Sequence, residues 1–99
     1  MQTIWSQING SAKYANRAEA LTPGLRWTGS RLQNGEGGVL VMGVILPNSP
    51  QVDDLAALVD MVYDTLTSEF RGPLRVGLTD FGTTWVRDDS VAHACLYER

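Results

Sequence analysis

The chain has 99 residues, which is the size of one domain, and its hydrophobic fraction of 43% and charged fraction of 19% exclude a disordered protein. Its net charge of −3 argues against binding nucleic acid through phosphates, and its single cysteine excludes an internal disulfide. The longest apolar run, residues 39–46, is too short for a membrane span, and the first residues lack the pattern of a signal peptide. We therefore expect one domain over residues 1–99.

The N-terminal stretch has a mixed helical signal. Ile4, Trp5 and Ile8 suggest one helical face, which the Asn-Gly-Ser sequence at 9–11 interrupts. The alanine-rich segment 12–21 then predicts that the helix resumes and ends before Pro23.

A β-hairpin follows. Residues 25–33 and 39–46 flank Asn34-Gly35, the strongest short turn signal. The second strand never alternates with polar residues. It must therefore be covered on both faces, or be covered on one and meet a partner on the other.

The clearest predicted element is a helix over residues 50–70. Ser49 suits the N-cap and Pro50 the first helical position, while Asp53 and Asp54 lie near the positive end of the helix dipole. Gly72 and the proline after it predict the end. Apolar residues at spacings of three and four predict a buried stripe, formed by Val52, Leu55, Val59, Val62 and Leu66.

The rest of the chain is predicted to form β-strands joined by a turn. Residues 74–79 alternate, 81–86 continue them with a bend or bulge at Gly82, 87–90 form a turn, and 91–97 form the last strand. The predicted fold is α+β in the order α-β-β-α-β-β. Its four-stranded, mainly antiparallel sheet packs against one long amphipathic helix.

No catalytic, cofactor-binding or metal site can be assembled from these residues, so we expect no enzyme and no cofactor. His93 has no nucleophile or carboxylate partner at a suitable spacing, and Cys95 is expected to be a small buried hydrophobe. The glycines at 35–38 join two strands rather than leading into a helix, so they do not form a phosphate cradle.

Four aromatic side chains could stack bases on a sheet, but such platforms are surrounded by Lys and Arg, and a single lysine and an acidic second half argue against one here. We expect them to pack in the core instead. They are Trp27, Phe81, Trp85 and Tyr97.

Charge and exposed apolar residues favour a protein–protein interface. Residues 1–50 carry a net charge of +2 and residues 51–99 a net charge of −5, which suits contact between copies. Three aspartates share one helix face without a His or Asn to complete a metal shell, and Met61 lies opposite the core stripe. The predicted interface residues are Asp53, Asp60, Asp64, Met61, Arg26 and Arg31.

The second half of the chain resembles the tail terminator and head–tail completion proteins of long-tailed bacteriophages. The resemblance covers about 60 residues: the apolar strand 39–46, a short Pro/Asn/Ser loop, the helix reading DLAALVDMVYDTL, and the strands 75–86 and 91–97. It implies a ring, typically hexameric, that caps the tail tube and docks it to the head. Its implied partners are other copies of the chain and other tail or head-completion proteins.

Two functional hypotheses follow. The first is this structural role, located in the virion and, during assembly, in the host cytoplasm, without a small-molecule substrate, a membrane or a specific nucleic acid as partner. The alternative is a small acidic inhibitor or immunity-type protein. It would mask a basic surface on a nuclease or nucleic-acid-binding complex with Asp53, Asp60 and Asp64.

Overall fold

The computed structural model describes residues 2–32, 38–70 and 72–97, with side chains described from Ser11 onward. The predicted α+β class is confirmed. Within these ranges lie two helices and five strands: α1 (Gln2–Leu21), β1 (Arg26–Arg31), β2 (Val39–Val44), α2 (Leu55–Glu69), β3 (Leu74–Asp80), β4 (Thr83–Arg87) and β5 (Cys95–Leu96). The predicted turn at Asn34-Gly35 lies outside the described residues.

The strands form one mixed sheet in the order β1-β2-β3-β4-β5. β2 and β3 are parallel, and the other neighbouring pairs are antiparallel. The prediction of four mainly antiparallel strands was therefore wrong in strand number and in its central pair. The parallel pair arises because α2 carries the chain back to the end of the sheet where β2 began.

Phe81 and Gly82 separate β3 from β4, although a bend within a single strand was predicted there. This separation accounts for the extra strand. Both residues have positive φ angles, 45° and 91°, which is typical of a two-residue type I′ hairpin turn. Asp80 pairs with Thr83 across this turn. The bend prediction was wrong, and β3 and β4 form an antiparallel hairpin.

The sheet carries two helices rather than one, because α1 continues through residues 9–11 without a break. Gly29 of β1 lets the two backbones approach closely: a Cβ atom there would lie 2.1 Å from the Ser11 carbonyl oxygen. Against the strand, α1 buries Tyr14, Ala15 and Ala18. A glycine in the strand thus lets the helix backbone pack directly against it.

Helix α2 begins at Leu55, five residues later than predicted. Asp54 is the N-cap, and its carboxylate accepts a hydrogen bond of 3.0 Å from the Ala57 amide. The Ser49 hydroxyl instead accepts a bond of 3.0 Å from the Leu46 amide and closes a turn. The predicted stripe is confirmed at Val59, Val62 and Leu66, each with no exposed surface; Val52 precedes the helix.

Residues 91–94 form an irregular segment, so the predicted last strand is reduced to Cys95–Leu96. The backbone amide of Ala94 donates a hydrogen bond of 2.7 Å to the Asp60 carboxylate on α2. This segment is therefore held by a side chain of α2 rather than by pairing with a neighbouring strand.

The core lies between the sheet and the two helices. Arg17 of α1 donates two hydrogen bonds of 2.7 Å to Glu69 of α2, joining the helices at their surface. The buried apolar residues are Tyr14, Ala15, Ala18, Leu25, Trp27, Val41, Val59, Val62, Tyr63, Leu66, Leu74, Val76, Leu78 and Ala94. We call the sheet surface that contacts the helices the helix face, and the opposite surface the open face.

Only part of the aromatic set packs as expected. Trp27 is buried, and its indole donates a hydrogen bond of 2.7 Å to the Thr22 hydroxyl, while Trp85 is partly buried against the core. Phe81 is 80% exposed and Tyr97 58% exposed, so the core prediction was wrong for both.

The outer edge of β1 is capped by α1. The Glu19 carboxylate accepts a hydrogen bond of 3.1 Å from the Trp27 amide. This amide would otherwise be a free donor on an edge strand.

Candidate interaction surface

The open face is built by the alternation of the three central strands. Val41 and Val76 have no exposed surface and point toward the helices, so their neighbours point the other way. Strand register aligns these neighbours in rows. The rows contain Val44, Thr79, Thr84 and Tyr97; Met42, Gly77, Val86 and Cys95; and Leu40, Arg75 and Asp88.

A groove of about 520 Å³ runs over the open face. Its lining residues are Leu40, Met42, Arg75, Thr79, Thr84, Val86, Asp88 and Tyr97. The Met42 side chain lies over Gly77, where a Cβ atom would be 2.8 Å from the methionine sulfur. The hydroxyls of Thr79 and Thr84 are 3.1 Å apart and hydrogen bond to each other. The groove therefore combines apolar side chains with two hydroxyl groups that are already paired, and with the charged Arg75 and Asp88.

Charge on the groove is nearly balanced. Arg75 donates a long bond of 3.4 Å to Asp88, with both side chains substantially exposed. The Ser90 hydroxyl and amide hydrogen bond to Asp88 and lower its pKa, with Arg75 adding a smaller contribution. An exposed pair of this kind contributes little to stability, which leaves Arg75 able to meet another carboxylate.

Large apolar side chains are exposed around the end of the sheet where β2 and β3 finish. Val44 is 38% exposed, Leu46 43%, Tyr97 58% and Phe81 80%. Single exposed hydrophobic residues are common on monomers, but several around one groove are typical of interaction sites. We call these four residues the apolar rim.

Two of the predicted interface aspartates have partners within the chain. The guanidinium group of Arg87, whose side chain is 14% exposed, lies 3.3 Å from Asp60 and 3.0 Å from Asp64. It also lies over the Tyr63 ring, 4.4 Å from the centroid. Asp60 additionally accepts the Ala94 amide. These contacts join α2 to β4 and to the segment before β5.

The same cluster perturbs a tyrosine. The Tyr63 hydroxyl donates a hydrogen bond to Asp89. Burial of the ring and this bond raise the pKa of Tyr63 to about 12. The phenol is therefore held neutral as a donor, which is a structural role.

The other predicted interface residues lie apart from one another. Asp53 is exposed before the start of α2, and Met61 is 38% exposed on the helix, away from the sheet. Arg26 and Arg31 are exposed at opposite ends of β1. Strand alternation places Arg26 on the open face beside Val44, and Arg31 on the other face. The structure does not unite the six residues on one surface.

The groups considered for catalysis have other surroundings. His93 is exposed, with Nδ1 3.6 Å from an Asp60 oxygen, while Ser90 donates its hydroxyl proton to Asp88. Cys95, expected to be buried, is exposed. Over the described residues, no group of three or more His, Cys, Asp or Glu side chains is placed to bind a metal ion. In the same part of the chain, neither helix combines the length and apolar character that crossing a bilayer requires.

The sequence reasoning found one component of this surface and missed the others. The unbroken apolar run 39–46 correctly indicated a strand with apolar side chains on both faces. Phe81 and Tyr97 were assigned to the core, although the glycine after Phe81 was a usable turn signal. Comparisons of the chain with protein-family models, curated proteins and solved structures found no match.

Proposed function

We propose that this protein is a structural subunit of a bacteriophage tail, forming a ring that ends the tail tube and joins it to the head. The observation that carries the proposal is the open face, which neither helix covers and which combines a partly apolar groove with an apolar rim. A subunit whose role is to join protein surfaces needs such a face and no catalytic residues. The ring and the tail come from the resemblance in chain order.

The size of the open face supports association. Strands of six, six, seven, five and two residues, at about 3.3 Å per residue and about 4.8 Å apart, present roughly 410 Å². A standard interface takes about 800 Å² from each partner. The open face supplies about half of this, and Leu46 and Phe81 of the apolar rim add to it. An interface of standard size is therefore within reach of this small chain.

Charge supports a ring in particular. A ring uses two different patches on each subunit, and the difference in net charge between the two halves of the chain, +2 and −5, is compatible with patches of opposite sign. DNA slides through the lumen of such a ring without being gripped, so a net negative subunit is suited to that position.

The inhibitor hypothesis receives less support from the geometry. It requires Asp60 and Asp64 to be available to a basic partner, whereas Asp60 is 23% exposed and bonds to Arg87 and the Ala94 amide, and Asp64, though 65% exposed, also contacts Arg87. Asp53, the third predicted contact residue, is exposed but lies before the start of α2 rather than on the helix face that the hypothesis requires.

Native mass spectrometry of the full chain at micromolar concentration tests the proposal. We expect a closed oligomer, and we expect it to bind purified tail-tube protein. Val44→Asp should abolish the oligomer, because it places a charge on the open face. Ala12→Asp, an exposed position on α1, is the matched control and should leave the oligomer intact. A strict monomer that also fails to bind tail-tube protein would refute the proposal.

A further inference from the structure

Phe81 occupies an unusual position for a large aromatic residue. It lies at the tip of the β3–β4 hairpin with a φ of 45°, in the left-handed region that glycine and asparagine favour. Its side chain is 80% exposed and takes no part in the hydrophobic core. The residue therefore adds backbone strain and exposed apolar surface without stabilising its own domain. Exposed aromatic anchors of this kind dominate the binding energy of many interfaces.

The groove on the open face has the size and chemistry to accept such an anchor. A cavity of about 150 Å³ is enough for a benzene molecule, and the groove measures about 520 Å³. Leu40, Met42 and Val86 supply apolar contacts, and the paired hydroxyls of Thr79 and Thr84 need no further partner. A phenyl ring with its flanking turn would fit there.

Phe81 cannot reach the groove of its own chain. Thr79 and Thr84, which line the groove, are paired on the same two strands that the turn connects. The two-residue turn projects Phe81 beyond the end of these strands and has no slack to fold back. Anchor and groove can therefore meet only between two copies of the chain.

Charge agrees with this pairing. The open face carries Arg26 and Arg75 against one acid, Asp88. Asp80, the last residue of β3 before the tip, carries a negative charge on a half-buried side chain, which strand alternation places on the helix face. The formal charge beside the tip is thus opposite in sign to the excess on the open face.

We infer that Phe81 of one copy inserts into the open-face groove of the next, forming the repeating contact of the ring. The inference rests on the proposed function and names the two surfaces that meet. Because they are different patches of one chain, the contact is heterologous and closes into a ring or continues as a filament.

Two variants, each altering one side of the contact, test this. Phe81→Asn removes the aromatic ring but introduces a residue that tolerates the left-handed backbone, so the fold should be retained or slightly stabilised. Thr84→Arg fills the groove and leaves the tip unchanged. Each variant alone should raise the dissociation constant of self-association at least 100-fold and be monomeric at micromolar concentration. Circular dichroism and thermal melting confirm that both remain folded.

Mixing the two variants gives the decisive result. The Phe81→Asn chain keeps an intact groove and the Thr84→Arg chain keeps an intact tip, so a one-to-one mixture should form a heterodimer and nothing larger. If no heterodimer forms, or if Phe81→Asn assembles like wild type, the inference is overturned while the proposed ring stands. An intact ring that loses tail-tube binding on Phe81→Asn would also overturn it, because the anchor would then face another protein. A monomeric wild-type chain would instead count against the proposed function.

Discussion

Replacing Gly29 with alanine tests how α1 is held on the sheet. The new Cβ atom would lie 2.1 Å from the Ser11 carbonyl oxygen and 2.7 Å from its carbonyl carbon. Both are backbone atoms of a helix, so no side-chain rotation relieves the overlap. To restore even a tight contact of 3.0 Å, α1 must move back by about 0.9 Å.

That movement weakens the packing of the helix. A gap of about 0.5–1 Å forfeits roughly a quarter to a half of the dispersion attraction between the surfaces. Tyr14, Ala15 and Ala18 are the buried α1 side chains that would lose contact. We expect the free energy of unfolding to fall by about 3 kcal/mol, the upper part of the usual range for overpacking. The melting temperature should fall by roughly 12 °C or more.

Gly77→Ala provides the matched control, because it makes the same change on the central strand β3 of the same sheet. Its Cβ atom would meet the Met42 sulfur at 2.8 Å and methyl carbon at 2.7 Å. These atoms end a flexible side chain that can change rotamer, so we expect a loss of no more than about 1 kcal/mol. Urea unfolding followed by tryptophan fluorescence and circular dichroism, at one fixed protein concentration, measures both. Equal losses for the two variants would refute the close helix–strand contact.

Two further predictions concern the Arg87 cluster. Arg87→Met should lower the free energy of unfolding by about 2 kcal/mol, because it removes the cation beside the partly buried Asp60 carboxylate; the loss at Asp64, which is 65% exposed, is small. Arg75→Met, which removes an exposed pair, should cost no more than about 0.5 kcal/mol in the same urea titration. The pKa of Tyr63, raised to about 12 from an ordinary value near 10, predicts stability that is fully present below pH 10 and lost as the pH rises toward 12. Tyr63→Phe should flatten this decline, and an unchanged pH profile would contradict the assignment.

Local sequence signals predicted the helices better than they predicted how the strands pair. The apolar spacing of Val59, Val62 and Leu66 identified the buried stripe of α2 because helix periodicity is a property of neighbouring residues. The start of the helix was misplaced because two residues could serve as cap. Asp54 fills that role, and Ser49 closes a preceding turn instead.

The parallel pairing of β2 with β3 could have been predicted. A strand, a helix and a second strand in succession favour a parallel crossover, and the apolar run of β2 suits a central strand. The hairpin at Phe81 was harder to recognise, because a bulky residue rarely adopts a positive φ angle. Its glycine neighbour was interpreted as a bend or bulge within one continuing strand.

The candidate surface and its neighbouring cluster could not be predicted from the spacing of residues in the sequence, because they depend on contacts between residues far apart in the chain. Asp60 and Arg87 are 27 residues apart in the chain, and their pairing became visible only when α2 was placed on β4. The open face likewise required the strand register, which aligns Leu40 with Arg75 and Val86 with Cys95. Residue types led to the hypothesis of a partner surface, and tertiary structure showed which exposed side chains share one face of the sheet.

The hydrogen bond from the Trp27 amide to Glu19 also bears on how the sheet meets other molecules. With this amide paired inside the chain, the edge of β1 offers one backbone donor fewer to a strand from outside. At the other edge, β5 has only two residues, which shortens any ladder that could be added there. Side chains then carry more of the recognition, and substitutions can change them without altering the backbone.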